Sequence, residues 1–289
     1  MNGERHITGR VIRFVRKSLI HLILLAICVI WLVPTLGLFI SALRPRALIL
    51  NTGWWKAFDA PLRFTMENYL HVIQQANMGR SFFNSLMIAI PATVMPILVA
   101  AFAAYAFSWM RFPGRDVLFL MIIGLLVVPL QMTLIPILRL FNSLRLTGTF
   151  VGVWVAHTAY GLPFAIYLLR NFIGGIPEDL FESAFLDGAN HVQIFYRLVL
   201  PLAVPAIASL SIFQFMWVWN DLLVALIYLG GTPDVAPMTV TISNLVNSYG
   251  GGWEFLTSAA FISMVLPLLV FFSLQRYFIR GILAGSIKG

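Results

Sequence analysis

Pro177-Glu178-Asp179-Leu180-Phe181-Glu182-Ser183-Ala184-Phe185-Leu186-Asp187-Gly188-Ala189 is a polar island in a very apolar chain, running on to Leu198-Val199-Leu200-Pro201. It holds four of the 11 acidic residues, Glu178, Asp179, Glu182 and Asp187. A bilayer core needs about 20 mostly apolar residues per helix. Segments of that kind flank the island at 151–169 and 204–229, so it reads as a loop between two spans. Further candidates lie at 19–42, 85–107, 117–138 and 256–274, which makes an all-α, polytopic membrane protein with six transmembrane helices.

Composition agrees. Of 289 residues, 60% are hydrophobic and 10% charged, with a mean hydropathy of +0.89. Soluble domains carry about 25% charged residues, and so few charges cannot clothe a water-facing surface. The single cysteine, Cys28, excludes an intrachain disulfide and a cysteine metal cluster. The net charge of +8 is scattered around the ends of apolar runs, which is the pattern of membrane topology and not of nucleic-acid binding.

Six spans put both termini on one side. Twelve basic residues then share that side (Arg5, Arg10, Arg13, Arg16, Lys17, Arg111, Arg115, Arg170, Arg197, Arg276, Arg280 and Lys288) against seven opposite (Arg44, Arg46, Lys56, Arg63, Arg80, Arg139 and Arg145). The bias predicts cytosolic termini and a cytosolic Glu182 loop. The organisation expected is a cytosolic N-terminus at 1–18 and a transmembrane domain at 19–289. Within that domain lie a cytosolic loop at about 170–203, outer loops at about 43–84 and 230–255, and a cytosolic tail at 275–289. The first span reads as a retained signal-anchor, since its apolar run is long for a signal peptide and no A-x-A site follows.

Prolines recur inside the spans: Pro34, Pro91, Pro96, Pro129, Pro136, Pro163, Pro205 and Pro267. Each removes a backbone donor and favours a kink, tolerated where a neighbouring group satisfies the freed carbonyl. Pro129, Pro136 and Pro205 are candidates for bends in helices that line a path. The alanine run from Ala100 to Ala106 offers a small-residue surface for close helix packing.

The island reads as two short helices. Pro177 suits a first helical position, and Glu178 and Asp179 suit the first turn. Leu180, Phe181, Ala184 and Phe185 share one apolar face, with Glu182 left polar. Gly188 supplies the permissive backbone that ends the first helix, and Pro201 begins the return into the membrane. The small residues Ala184, Gly188 and Ala189 would let another surface approach closely.

Catalytic signatures are absent: there is no G-x-x-x-x-G-K-[ST], H-E-x-x-H or G-x-S-x-G. The five histidines are scattered, and His157 and His21 read as hydrogen-bonded structural residues. Asp221 is the one acid well inside a span. It either fixes the span by hydrogen bonding, lines a path for a polar substrate together with Trp217 and Asn220, or relays protons. Trp217 and Trp219 either stack on sugar rings or pack the bundle. Gly230–Trp253 is Gly-rich and nearly uncharged, suited to reaching a neutral polar ligand.

Glu182, Ala184, Gly188, Leu200 and Pro201 fall on the EAA loop of ABC-importer permeases, E-A-A-x3-G-x9-I-x-L-P; Ser183 stands for an Ala and Leu198 for the Ile. Trp219-Asn220-Asp221-Leu222-Leu223 and the C-terminal stretch from Leu274 are similar to carbohydrate ABC importer permeases of the maltose type. The chain resembles in particular their second, six-span permease. The Arg44–Trp55 stretch is similar to the alpha-glucoside and glucosylglycerol branch. The resemblance implies the type I importer permease fold and a bacterial or archaeal cytoplasmic (inner) membrane location. It implies a homologous second permease, a homodimeric cytosolic ATPase that binds ATP and Mg, an extracytoplasmic sugar-binding protein, a sugar substrate and membrane lipid as partners. No cofactor, metal or catalytic residue is expected in this chain. Glu182, Ala184, Asp187, Gly188, Ala189, Leu200 and Pro201 would receive the ATPase. Gly285, Ser286, Ile287, Lys288 and Gly289 would enter the ATPase interface, and Asn247, Ser248, Tyr249, Gly250 and Gly251 would touch the binding protein. The rival class is an ion-coupled secondary transporter, for which only Asp221 offers an intramembrane ligand.

Overall fold

The computed structural model describes residues 2–59, 61–75, 77–245 and 252–286, with side chains at 17–59, 61–74, 77–245 and 252–276. The expected contacts at Asn247, Ser248, Tyr249, Gly250 and Gly251, and at Ile287, Lys288 and Gly289, lie outside the described residues. The described residues are helical throughout their regular structure, with no strand among them. Among the described residues, five helices are long and apolar enough to cross a membrane, or six if one bent pair counts as a span. The chain divides into two compact units.

The first unit comprises residues 1–72 and 246–261. Helix α1 (Asn2–Ala42) contains the span Lys17–Ala42, whose apolar window is only 6% buried within the chain. Short α2 (Arg46–Asn51) and a 3-10 turn (Trp54–Phe58) follow. Buried Arg44 ties them together by donating to the carbonyls of Gly53 at 3.0 Å and Thr52 at 3.3 Å. Asn68, near the start of α3 (Glu67–Gln75), donates to the carbonyls of Ala42 and Arg44, both at 2.9 Å. It thereby satisfies carbonyls that the end of α1 leaves open. Arg46 pairs with the wholly buried carboxylate of Glu254 at 3.1 Å.

The second unit comprises residues 73–245 and 262–289. Its core is built from α4 (Met78–Trp109), α7 (Phe150–Ile173) and α10 (Leu200–Trp219). Between them lie α5 (Arg115–Gly124), α6 (Leu130–Ser143), α8 (Glu178–Leu186) and α9 (His191–Ile194). After α10 come α11 (Leu223–Leu229), α12 (Met238–Ser243) and the long α13 (Trp253–Ser286). Ala92, Ala100, Ala101 and Ala104 are buried along α4, so the alanine run does bring helices close. Gly161 of α7 meets the Gln214 amide of α10, where a Cβ would come within 2.6 Å of Oε1.

Proline takes two different outcomes. Pro91, Pro96 and Pro267 lie inside continuous helices, and each frees the carbonyl four residues earlier. Those carbonyls have outside donors: Trp154 Nε1 to Met87 O at 2.8 Å, Gln214 Nε2 to Ala92 O at 3.1 Å, and Trp219 Nε1 to Ser263 O at 3.0 Å. Three side chains from neighbouring helices thus repair three proline sites, as a bilayer interior demands.

Pro129 behaves otherwise. The expected span 117–138 is not one helix: Arg115–Val127 and Leu130–Ser143 meet at 103°. Val128, before the proline, takes ψ 116 and Pro129 ψ 128, because a proline ring pushes its predecessor out of the helical region. The expected span 204–229 also differs. Its helix runs His191–Trp219, stops at Asn220, and restarts as α11. The helix that holds the last span, Trp253–Arg276, continues through Gly285 to Ser286, so the described part of the expected tail is helical. No proline interrupts 275–286, and its two glycines, Gly281 and Gly285, cost only about 1 kcal/mol each.

Candidate functional site

The polar island folds as read, with local corrections. Pro177 caps α8 from just outside the first turn, at φ −57 and ψ 135, and Glu178 and Asp179 fill that turn. The helix ends where Gly188 N–H donates to Phe185 O and Ala189 N–H to Ala184 O, both at 3.0 Å. Gly188 stands at φ +79, the left-handed conformation in which glycine meets no Cβ penalty. A capping box then starts α9: Gln193 N–H donates to Asn190 Oδ1 and Asn190 N–H to Gln193 Oε1, each at 2.9 Å. That Asn-x-x-Gln signal was legible at 190–193 but was not read above.

Phe181 anchors the element. It is 1% exposed and stacks on Trp109 of α4 at 3.7 Å between centroids, while Trp109 Nε1 donates to Ile173 O of α7 at 3.0 Å. A second fixing runs from Tyr105 OH to His191 Nδ1 at 2.9 Å. Neither partner was visible in sequence, since each lies more than 60 residues away. The expected apolar face is therefore divided. Phe181 packs inward, whereas Leu180, Phe185 and Leu186 are exposed, Leu186 at 88%. Ala184 and Ala189 pack toward the chain's own core, so of the three small residues only Gly188 is open, with nothing within 4 Å of an added Cβ. Glu182 and Asp187 are exposed beside it.

The return to the bundle is one helix. α9 runs through a π turn (Phe195–Val199) into α10. Leu200 is half-buried against the core and Pro201 exposed in the first turn of α10, so the return begins at His191 and not at Pro201. The wider π turn and the position in α10's first turn accommodate a residue with no N–H to give.

Asp221 is not inside a span. It follows the end of α10, and its carboxylate accepts from Val224 N–H at 3.2 Å and Ala225 N–H at 2.9 Å. The Thr239 hydroxyl donates to its backbone carbonyl at 2.6 Å. This geometry matches the hydrogen-bonding reading: Asp221 fixes the break between α10 and α11. His157, wholly buried, places Nε2 3.7 Å from Asp221 Oδ2, and a cavity of about 10 Å³ beside Ser85 and Trp219 touches both, enough for one water. Trp217 packs its ring edge-on to His157 at 5.1 Å, and exposed Asn220 donates to Met216 O at 2.7 Å. Asp221→Ala is expected to destabilise the protein by about 2–4 kcal/mol, because hydrogen bonds to charged groups contribute about 1.5–3 kcal/mol each and the two share one cap. Asp221→Asn, which retains an acceptor, should lose less than half of that. Thermal unfolding of the purified protein in nanodiscs checks it, and equal losses in both variants would contradict the capping role.

No group of three or more metal-ligating side chains occurs among the described residues. Several bilayer-length helices, two of them joined by an exposed two-helix loop, define a class: a polytopic helical membrane protein. Residues 82–284 match the model of the family described as the binding-protein-dependent transport system inner membrane component, and this chain belongs to that family. Its members are permease subunits of ABC transporters, non-catalytic inner-membrane components. The chain is 61% identical over 284 residues to the osmoprotective compounds uptake permease protein GgtD of Synechocystis sp., across 97% of this chain and 95% of that one. It is 56% identical over 234 residues to the alpha-glucoside transport system permease protein AglG of Rhizobium meliloti, across 79% of this chain and 62% of that one. A crystal structure of a bacterial ABC transporter that imports the acidic polysaccharide alginate contains a chain of the same fold. That match has a TM-score of 0.74 and 22% identity, over 90% of this chain and 96% of that one.

Proposed function

We propose that this chain forms half of the translocation path of an ATP-driven importer for a neutral carbohydrate, an alpha-glucoside or a glucosylglycerol-like solute. The substrate class rests on the relatives named for alpha-glucosides and for osmoprotective compounds. A homologous permease completes the path, a sugar-binding protein delivers the solute, and a homodimeric cytosolic ATPase holds ATP and Mg. Both termini lie in the cytosol.

The observation that carries the coupling role is the α8–Gly188–α9 element. Phe181 on Trp109 ties it to α4, and Tyr105 on His191 ties α9 to the same helix. Its far edge is open at Glu182, Leu186, Asp187 and Gly188. A push on that edge passes through stacked rings into the core helices, so an ATPase docked there can tilt the bundle. The test is uptake of a radiolabelled alpha-glucoside into vesicles holding the whole complex and binding protein. Uptake should stop when ATP is withheld and persist after ionophores collapse the ion gradients; the reverse pattern identifies an ion-coupled transporter.

A further inference from the structure

The segment that follows α1 exposes a run of large apolar side chains that the transport reading does not use. Leu50, Trp55, Phe58, Leu62, Phe64 and Met66 are each between 49% and 64% exposed. They are not the loose side chains of a slack loop. Arg44 is buried and hydrogen-bonded to Thr52 and Gly53, which sets the path of the backbone into the 3-10 turn, and Ala57 of that turn is buried. The other outer segment behaves in the opposite way. From Gly230 to Leu245, Ala236, Met238 and Val240 are buried and no large apolar side chain is exposed. Two connecting segments of one chain thus treat apolar residues differently, which points to different surroundings.

Three observations indicate what surrounds 46–66. The first is depth. Trp54 lays its indole on Gly37 of α1, where a Cβ would come within 2.7 Å of Nε1. Gly37 lies five residues before the end of α1 at Ala42, about 7 Å back along the helix at 1.5 Å per residue. The segment therefore folds back beside the last turns of a bilayer-length helix and does not stand off into water. The second is continuity, because the α1 span it folds against is itself apolar and almost unburied by the rest of the chain. The third is charge. Residues 46–66 contain Arg46, Lys56 and Arg63 against one acid, Asp59. Arg46 pairs with Glu254 at 3.1 Å and Lys56 with Asp59 at 3.0 Å, which leaves one positive charge, at exposed Arg63, among tryptophan and phenylalanine, as in segments that sit at the headgroup level.

We propose that residues 46–66 form an interfacial anchor. The exposed face carrying Trp55, Phe58 and Leu62 inserts into the headgroup–acyl boundary of the leaflet where α1 emerges, while Arg63 reaches the phosphates. The anchor fixes the depth of α1, since Trp54 couples the inserted turn to Gly37. It is independent of the transport reading, because its test needs no turnover.

The test uses the whole transporter in vesicles of phosphatidylethanolamine and phosphatidylglycerol. In a Cys28→Ser background, Trp55→Cys, Phe58→Cys and Leu62→Cys are each labelled with a nitroxide, with exposed Thr232→Cys as the aqueous reference. Collisions with oxygen, which partitions into lipid, are compared with collisions with a water-soluble nickel chelate. The oxygen-to-nickel ratio is expected to be several-fold higher at 55, 58 and 62 than at 232. Ratios equal to that at 232 would place the face in water, and exclusion of both reagents would place it against a protein partner; either result overturns the proposal. Three labelled positions keep the outcome readable if one substitution disturbs folding.

Discussion

Replacing Gly188 by valine is expected to leave the protein in the membrane, paired with its partner permease, and to abolish coupled uptake. Gly188 stands at φ +79, where a β-branched residue is strained by roughly 1–2 kcal/mol or more. Inside the chain an added Cβ would meet nothing within 4 Å. Its effect must come from the bent joint between α8 and α9 and from whatever docks on the open edge. Three variants separate these causes. Asparagine tolerates the left-handed conformation, so Gly188→Asn should keep the joint yet still fill the docking surface. Gly188→Ala adds the least volume but keeps the strain. If close approach of the ATPase decides the outcome, sugar-stimulated ATP hydrolysis should fall in the order Ala, Asn, Val. If backbone strain decides it, Asn should outperform Ala. Full uptake by Gly188→Val at normal expression would refute the coupling role.

The second large effect is expected at Trp219. Its ring is buried, stacks on Phe215 at 5.5 Å and meets Phe82 edge-on at 5.7 Å, while its Nε1 donates to Ser263 O. Trp219→Ala should destabilise the protein by about 3–5 kcal/mol, the usual loss for a buried aromatic. Trp219→Phe keeps most of the packing and leaves the Ser263 carbonyl without that donor, a loss of about 1 kcal/mol beyond the small change in ring area. Pro267, which has no N–H, does not give that carbonyl the usual helical bond. Pro267→Ala should therefore recover stability in the Trp219→Phe background by restoring the helical bond, and recover less when Trp219 is present. Unfolding of the four proteins in one lipid mixture completes the cycle. Equal effects of Pro267→Ala in both backgrounds would show that the indole does not serve the freed carbonyl. The same cycle applies to Gln214 and Pro96, which meet at the Ala92 carbonyl.

These proline sites show where reading the chain succeeds and where it stops. That the chain crosses a membrane as helices was plain from runs of about 20 apolar residues, because a bilayer core leaves its backbone no other partner. The two-helix loop was plain too, since Pro177, Gly188 and the first-turn acids act through their nearest neighbours. Local physics writes local signals.

Which prolines kink a span and which divide it was not written there. Pro91, Pro96 and Pro267 look the same in sequence as Pro129. At the first three, Trp154, Gln214 and Trp219, from 44 to 122 residues away along the chain, supply donors to the freed carbonyls, and Pro34, Pro136, Pro163 and Pro205 also lie inside helices. Pro129 instead marks a 103° turn. Likewise Asp221, averaged into an apolar window, passed for a mid-span acid until the end of α10 at Trp219 made it the cap of α11. An apolar average cannot distinguish a helix that continues from one that stops and restarts. The tertiary structure decides which freed carbonyl meets an indole or amide from another helix, because those donors lie far along the chain, outside any window in which a local hydrophobic pattern is read.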